Sequence, residues 1–285
     1  MNIMGFKNFL HRNTIAKRDY DKRFKATGIT FEEYCNYIYK GSSDNISIFE
    51  PSNIYGVEIK RVGNYSFVQN VEEVLVEEVY KFESNKSNPY IIDCGANIGL
   101  SIIYFKRLFP KAKVVGFEPD SQIYKVCSEN LKHFNFTDVH LRNEAVWNEN
   151  GELSFLPDNS LGGMVVDSKT SNNSVHKVKS IRLKEFLNEE VDFLKIDIEG
   201  AELDVLEDIK EELVNVKLLF VEYHSGMNKQ QELDKILKIM ADAGFRYYIK
   251  EAWDYMEHPF VNYKEYDNNK INYDLQLNIF AYRRP

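Results

Sequence analysis

Residues 90–101 read YIIDCGANIGLS. An apolar run enters a loop containing Asp93, Gly95, Ala96, Asn97 and Gly99, and a helical pattern leaves it. Glycine admits close approach to the backbone, asparagine tolerates positive φ, and the first turn of a helix offers free N–H groups to a ligand. The order Asp-x-Gly-x-Asn-x-Gly departs from the Gly-x-Gly-x-x-Gly of a dinucleotide loop, and an aspartate is badly placed beside a pyrophosphate. The same aspartate suits a ligand that brings a cation, such as the sulfonium and ammonium of S-adenosylmethionine. An ordinary strand-to-helix turn is the plain alternative.

Downstream, apolar runs and helical periodicities alternate. The pattern predicts strand 90–94, helix 99–108, strand 113–117, helix 120–134 and strand 138–142. After a polar excursion it predicts strand 192–197, helix 201–211, strand 217–223, helix 228–243 and a closing pair, 244–250 with 277–283. That rhythm is α/β, a mostly parallel sheet with helices on both faces. Ligands of such sheets sit beyond the carboxyl ends of the strands, so the residues just after each strand are the candidates.

After the second strand, Glu118 can accept two hydrogen bonds from a ribose diol, and Asp120 is placed to cap the next helix. After the third, Asn143 and Ala145 are candidates for the adenine, with a strand-edge role for Asn143 as the alternative. The fourth runs VDFLKIDIEGAE, 191–202, where Lys195, Asp197, Glu199 and Glu202 interrupt an apolar strand end. Charges ordered in such a place need partners or a task. Period-two alternation sets Lys195, Asp197 and Glu199 on one side, and an internal lysine–carboxylate network is the alternative to catalysis. The fifth strand ends in Glu222, Tyr223 and His224, which adds a group of near-neutral pKa.

Residues 1–70 precede this rhythm as an N-terminal α+β extension, leaving 71–285 for the main domain. Within the extension, 46–69 suggests short antiparallel strands broken at Pro51–Asn53 and Gly63–Asn64. VEEVLVEEVYKF, 71–82, reads as a helix with Val71, Val74, Leu75, Val79 and Phe82 on one face. Residues 1–25 carry seven Lys and Arg against two Asp, with Phe6, Phe9 and Leu10 at helical spacing, which suits packing on the domain or peripheral contact with an anionic membrane. The polar stretch 157–176 is placed to cover a site, and 251–276, rich in Tyr and Asn with Trp253, Tyr255, Tyr263 and Tyr266, offers aromatic rings either for ordinary packing or for binding an acceptor.

The net charge of −8 argues against a chain built to grip nucleic acid. Three cysteines without Cys-x-x-Cys spacing indicate neither a disulfide framework nor a zinc site, and a reducing cytoplasm fits them. No apolar run is long enough to span a membrane.

Four motifs in order, Asp-x-Gly-Ala-Asn-x-Gly, Glu-Pro, Asn-x-Ala and Lys-Ile-Asp-x-Glu-Gly-Ala-Glu, resemble the FkbM family of S-adenosylmethionine-dependent methyltransferases over residues 90–224. The resemblance implies a Rossmann-like class I methyltransferase fold, with a seven-stranded sheet whose last strand is antiparallel. It implies methyl transfer to oxygen, often a sugar hydroxyl. Asp93, Gly95, Asn97 and Gly99 would hold the methionine part, Glu118 the ribose and Ala145 the adenine side, with Asp197 and Glu199 beside the reacting methyl. On the residues alone, the base that takes the hydroxyl proton is Asp197 or His224, tuned by Lys195 or Glu199. A variant places a divalent cation on Asp197, Glu199 and His224. A nicotinamide-dependent oxidoreductase and a non-catalytic binding protein are the rivals, set against by the missing glycines and the intact acidic set respectively.

Overall fold

The computed structural model describes residues 14–40, 50–63, 65–157, 163–166, 175–226, 230–252, 258–262 and 273–284. Strands β1 (Glu50–Ile54) and β2 (Val57–Arg61) form an antiparallel hairpin. The main sheet comprises β3 (Tyr90–Cys94), β4 (Lys113–Phe117), β5 (Val139–Arg142), β10 (Val191–Ile196), β11 (Val216–Gly226), β12 (Arg246–Glu251) and β13 (Tyr273–Tyr282). Its order is β12-β13-β11-β10-β3-β4-β5. The central pairs are parallel, and β13 runs antiparallel to both neighbours. This is the expected seven-stranded arrangement, and each expected strand of the sheet lies within a few residues of its place.

Burial on both faces explains why these strands read as continuous apolar runs. Ile91, Val114, Phe193 and Phe220 face one core with α3 (Leu100–Leu108) and α4 (Ser121–His133), while Ile92, Val115, Leu194 and Val221 face the other with α5 (Glu202–Asp208) and α6 (Leu233–Asp242). Two segments differ from expectation. The helix expected at 201–211 stops at Asp208, and a 3₁₀ turn at Glu212–Asn215 leads into β11. Residues 71–82 are not one helix: α2 (Tyr65–Val71) begins earlier, opens into a π-turn at Glu72–Val76, and is closed by Glu78 at φ 52°. Residues 65–69 are therefore helical rather than extended. Val71, Val74 and Leu75 still reach the core as their spacing predicts.

A second sheet, ordered β6-β9-β7-β8, was not legible in the polar stretch after β5. It comprises β6 (Ala145–Trp147), β7 (Gly151–Pro157), β8 (Gly163–Val166) and β9 (His176–Arg182). His176–Arg182 carries four basic side chains, which hid its alternation, and of its residues only Ser180 is buried.

The N-terminal residues share the first core. Ala16, Tyr20 and Phe24 are buried against it, so the described part of the basic segment packs on the protein; Phe6, Phe9 and Leu10 lie outside the described residues. Helix α1 (Phe31–Lys40) opens on a reciprocal capping box, with the Thr30 N–H donating to Glu33 and the Glu33 N–H to Thr30 Oγ1. Buried Asn130 of α4 ties this region to the glycine loop: its Nδ2 donates to the carbonyls of Lys60 and Ile98, and its Oδ1 accepts from the Lys60 N–H. Among the described residues no helix is long and apolar enough to cross a membrane.

Candidate functional site

The glycine loop follows β3, as the sequence predicts. Gly95, Asn97 and Gly99 have φ of 90°, 48° and 95°, and the N–H groups of Gly95 and Ala96 both donate to the Phe117 carbonyl. What approaches the Gly95 backbone is this chain itself: a Cβ there would stand 2.0 Å from the Asp197 carbonyl oxygen. The glycine thus joins the first and fourth strand ends, and a side chain at this position is excluded on two counts. We expect Gly95→Ala to abolish cofactor binding, read as loss of the ligand-induced rise in Tm, and to lower the stability of the free protein.

Asp93 is fully buried. Its cation is not left for a ligand to supply: Lys195 Nζ lies 3.2 Å from Asp93 Oδ1 and 3.1 Å from Asp197 Oδ2, and donates to the Gly95 carbonyl at 2.9 Å. Ser101 Oγ donates to the other Asp93 oxygen. Lys195 is buried among these carboxylates and strand-end carbonyls as an internal clamp. Burial alone would discharge it, but Asp197 and Asp93 outweigh that and raise its pKa above the ordinary lysine value. The lysine–carboxylate network is thus present in the structure.

Glu118 is 7% exposed, and its oxygens accept the backbone N–H groups of Asn97 and Asp120, both at 2.9 Å. Burial pushes its carboxyl up to about 8 against the pull of those two donors. Asp120 is the N-cap of α4, accepting from the N–H groups of Gln122 and Ile123. Asn143 donates to the carbonyls of Glu118 and Pro119, so its amide fixes the loop that carries Glu118. Ala145 is buried at the start of β6.

The fourth cluster is assembled by a turn, not by strand alternation. β10 ends at Ile196, and Glu199 sits at φ 58° before Gly200 at 94°. Glu202, buried at the head of α5, accepts from the N–H groups of Ile198 and Gly200 and so sets that turn. It also holds His224, whose Nδ1 lies 3.1 Å from Glu202 Oε1 while Nε2 faces Glu199 at 3.5 Å and Glu222 at 3.6 Å. Burial disfavours charge on the ring, but Glu199, the hydrogen bond to Glu202 and Glu222 together raise its pKa well above the usual histidine value. His224 is thus held by three acidic side chains beside the Asp197 turn. Asp197, Glu199 and His224 each present one donor atom within 4.8 Å of the others.

Sequence reasoning missed Glu73, Ser101 and the bracing role of Glu202. Glu73 belongs to the N-terminal π-turn, 20 residues before the first motif, and only the fold brings it to Asn278, whose Nδ2 donates to Glu73 Oε1 at 3.2 Å. Burial and then Asp197 push the Glu73 carboxyl up to about 7. Trp253, Tyr255, Tyr263 and Tyr266 lie outside the described residues, as does most of 157–176.

A family profile described as the methyltransferase FkbM domain matches residues 93–247. Methyltransferase sdnD of Sordaria araneosa is 30% identical over 212 residues, covering 61% of this chain and 80% of that protein. The 2-O-methyltransferase NoeI of Sinorhizobium fredii is 28% identical over 158 residues, 48% of this chain and 64% of NoeI. The hexuronic acid methyltransferase AglP of Haloferax volcanii is 26% identical over 198 residues, 65% of this chain and 73% of AglP.

Proposed function

This chain belongs to the FkbM methyltransferase family, and we propose that it moves the methyl group of S-adenosylmethionine to a hydroxyl oxygen of a sugar or glycan. It is an S-adenosylmethionine-dependent methyltransferase on a class I fold. The sugar acceptor is supported by the names of two relatives, the 2-O-methyltransferase and the hexuronic acid methyltransferase. The observation that carries the reading is the meeting of the glycine loop with the Asp197 turn, which brings a loop suited to a cofactor beside an acidic group.

In this reading the Gly95–Gly99 loop seats the methionine part, Glu118 accepts from the ribose hydroxyls, and Asn143 and Ala145 border the adenine. Asp93 acts through Lys195 rather than on the cofactor's cation. The acceptor oxygen attacks the methyl carbon in line with the departing sulfur, giving a methyl ether, S-adenosylhomocysteine and a proton. Asp197, 24% exposed and pinned by Lys195, takes that proton. His224 with Glu199, Glu202 and Glu222 surrounds the turn beside it.

The Asp197, Glu199 and His224 donors favour a second reading, in which a divalent cation binds there and acidifies the hydroxyl. Oxygen and nitrogen donors fit such an ion. One experiment separates the readings. The protein is incubated with S-adenosylmethionine and methyl glycosides of a hexose, a 6-deoxyhexose and a hexuronic acid, with and without EDTA, and products are weighed by mass spectrometry. A gain of one methyl that persists in EDTA is expected. Loss in EDTA with rescue by magnesium or manganese selects the second reading, and no methylated glycoside overturns the sugar assignment.

A further inference from the structure

The sheet face that carries Asp93 and Lys195 changes character along its last two strands. Residues directly opposite on paired strands share a face, and Phe220 lies opposite Phe280, Glu222 opposite Asn278 and His224 opposite Gln276. Lys195 is level with Phe220 on the neighbouring strand, so these rows continue the face of the clamp. An aromatic row therefore gives way, towards the carboxyl end of β11, to two polar rows.

Asn278 and Gln276 are 4% and 6% exposed, yet Asn278 Oδ1 and Gln276 Oε1 are buried and accept no hydrogen bond among the described residues. Folding does not return the desolvation cost of such an oxygen unless something else donates to it. Glu73 lies beside Asn278, joined to its amide. One face of the last strand thus carries two buried carboxamide oxygens without donors, with a carboxylate joined to one of the two carboxamides through one amide hydrogen, a set that asks for donors. A sugar ring supplies donors in adjacent pairs, and its hydroxyls can turn to suit fixed oxygens.

We propose that Glu73, Asn278 and Gln276 form the acceptor subsite, which accepts hydrogen bonds from the sugar hydroxyls neighbouring the one that is methylated. The assignment rests on the sugar reading above and deepens it. It puts acceptor recognition on the N-terminal π-turn and the last strand, which explains why recognition and the cofactor motifs sit in different parts of the sequence. The cofactor's ammonium is the competing donor, but the glycine loop places that ligand on the β3 side of the Lys195 clamp.

The test compares wild type with Glu73→Gln and the shape-conserving Gln276→Met on the best methyl glycoside of the panel, reading KM for glycoside and for S-adenosylmethionine separately. Each variant is expected to raise the glycoside KM about tenfold and to leave the S-adenosylmethionine KM within about twofold. A glycoside lacking one neighbouring hydroxyl should lose a similar factor on wild type and little more on the affected variant, a coupling that general loosening of the fold does not produce. Unchanged glycoside KM in both variants, on glycosides that wild type methylates, overturns the subsite and leaves the function standing. A parallel rise in the S-adenosylmethionine KM reassigns these residues to the cofactor and overturns it too. If wild type methylates no glycoside, the sugar reading and the subsite fall together.

Discussion

Lys195→Met is expected to cost roughly 3–5 kcal/mol of stability, because it removes one partner from a buried ion network and leaves the others uncompensated. At about 2–4 °C per kcal/mol for a chain of this size, Tm should fall by on the order of 10 °C. The reason lies in the environment of Asp93. It is wholly buried, one oxygen engaged by Ser101 and the other facing the Lys195 ammonium, and without that ammonium the site must either bury a bare charge or take up a proton. Methionine replaces the stem of lysine at similar volume, so the loss is electrostatic and not a cavity. Methyl transfer should fall about a hundredfold or more, since Asp197 loses the contact that fixes its carboxylate and the Gly95 carbonyl loses its donor. Lys195→Met with Asp93→Asn removes the stranded charge and should recover much of the stability in urea titrations while leaving activity low. If the single variant unfolds at the wild-type urea midpoint, the clamp is not what holds the two strand ends together.

The sheet was readable because two apolar faces leave a strong pattern: β3 and β4 lie where the runs 90–94 and 113–117 place them. The glycine loop was readable for a related reason, since positive φ at Asn97 and Gly99 restricts residue type. Partnership was less legible. Lys195, Asp197 and Glu199 looked equivalent by alternation, yet the strand ends at Ile196, so Lys195 turns inward to Asp93 while Glu199 reaches His224 across a left-handed turn. Glu73 could not be found from sequence, because nothing local to residues 71–82 distinguishes a helical surface glutamate from one laid over Asn278. The second sheet escaped for a further reason: β9 buries only Ser180, so its faces are not written as apolar against polar.

Binding of S-adenosylmethionine at pH 7 is expected to release close to one proton from Glu118, and Glu118→Gln to weaken that binding by about 10- to 100-fold. With its carboxyl pushed up to about 8 by burial, Glu118 is mostly protonated at pH 7 in the free protein. Ribose hydroxyls donating to it favour the ionised form and draw its pKa down, so the proton leaves as the ligand arrives. The sign follows directly. Affinity rises with pH while the free protein still holds the proton, and it levels off above about pH 8. In the free protein the effect on folding has the opposite slope: a carboxyl whose folded pKa exceeds its unfolded value binds more protons in the native state, so its contribution to stability declines from about pH 5 towards pH 8. Saturating cofactor should flatten that decline. Calorimetry at pH 7 in phosphate and in Tris measures the proton count, because the two buffers differ in ionisation enthalpy. Glu118→Gln is the control for the cofactor's own ammonium, whose titration it leaves in place; the difference between the proteins belongs to Glu118. Glutamine cannot accept from both Asn97 and Asp120, since its amide nitrogen meets one of those N–H groups as a second donor, and the loop that seats the cofactor loosens as well. Equal proton release in the two proteins would place the ribose elsewhere.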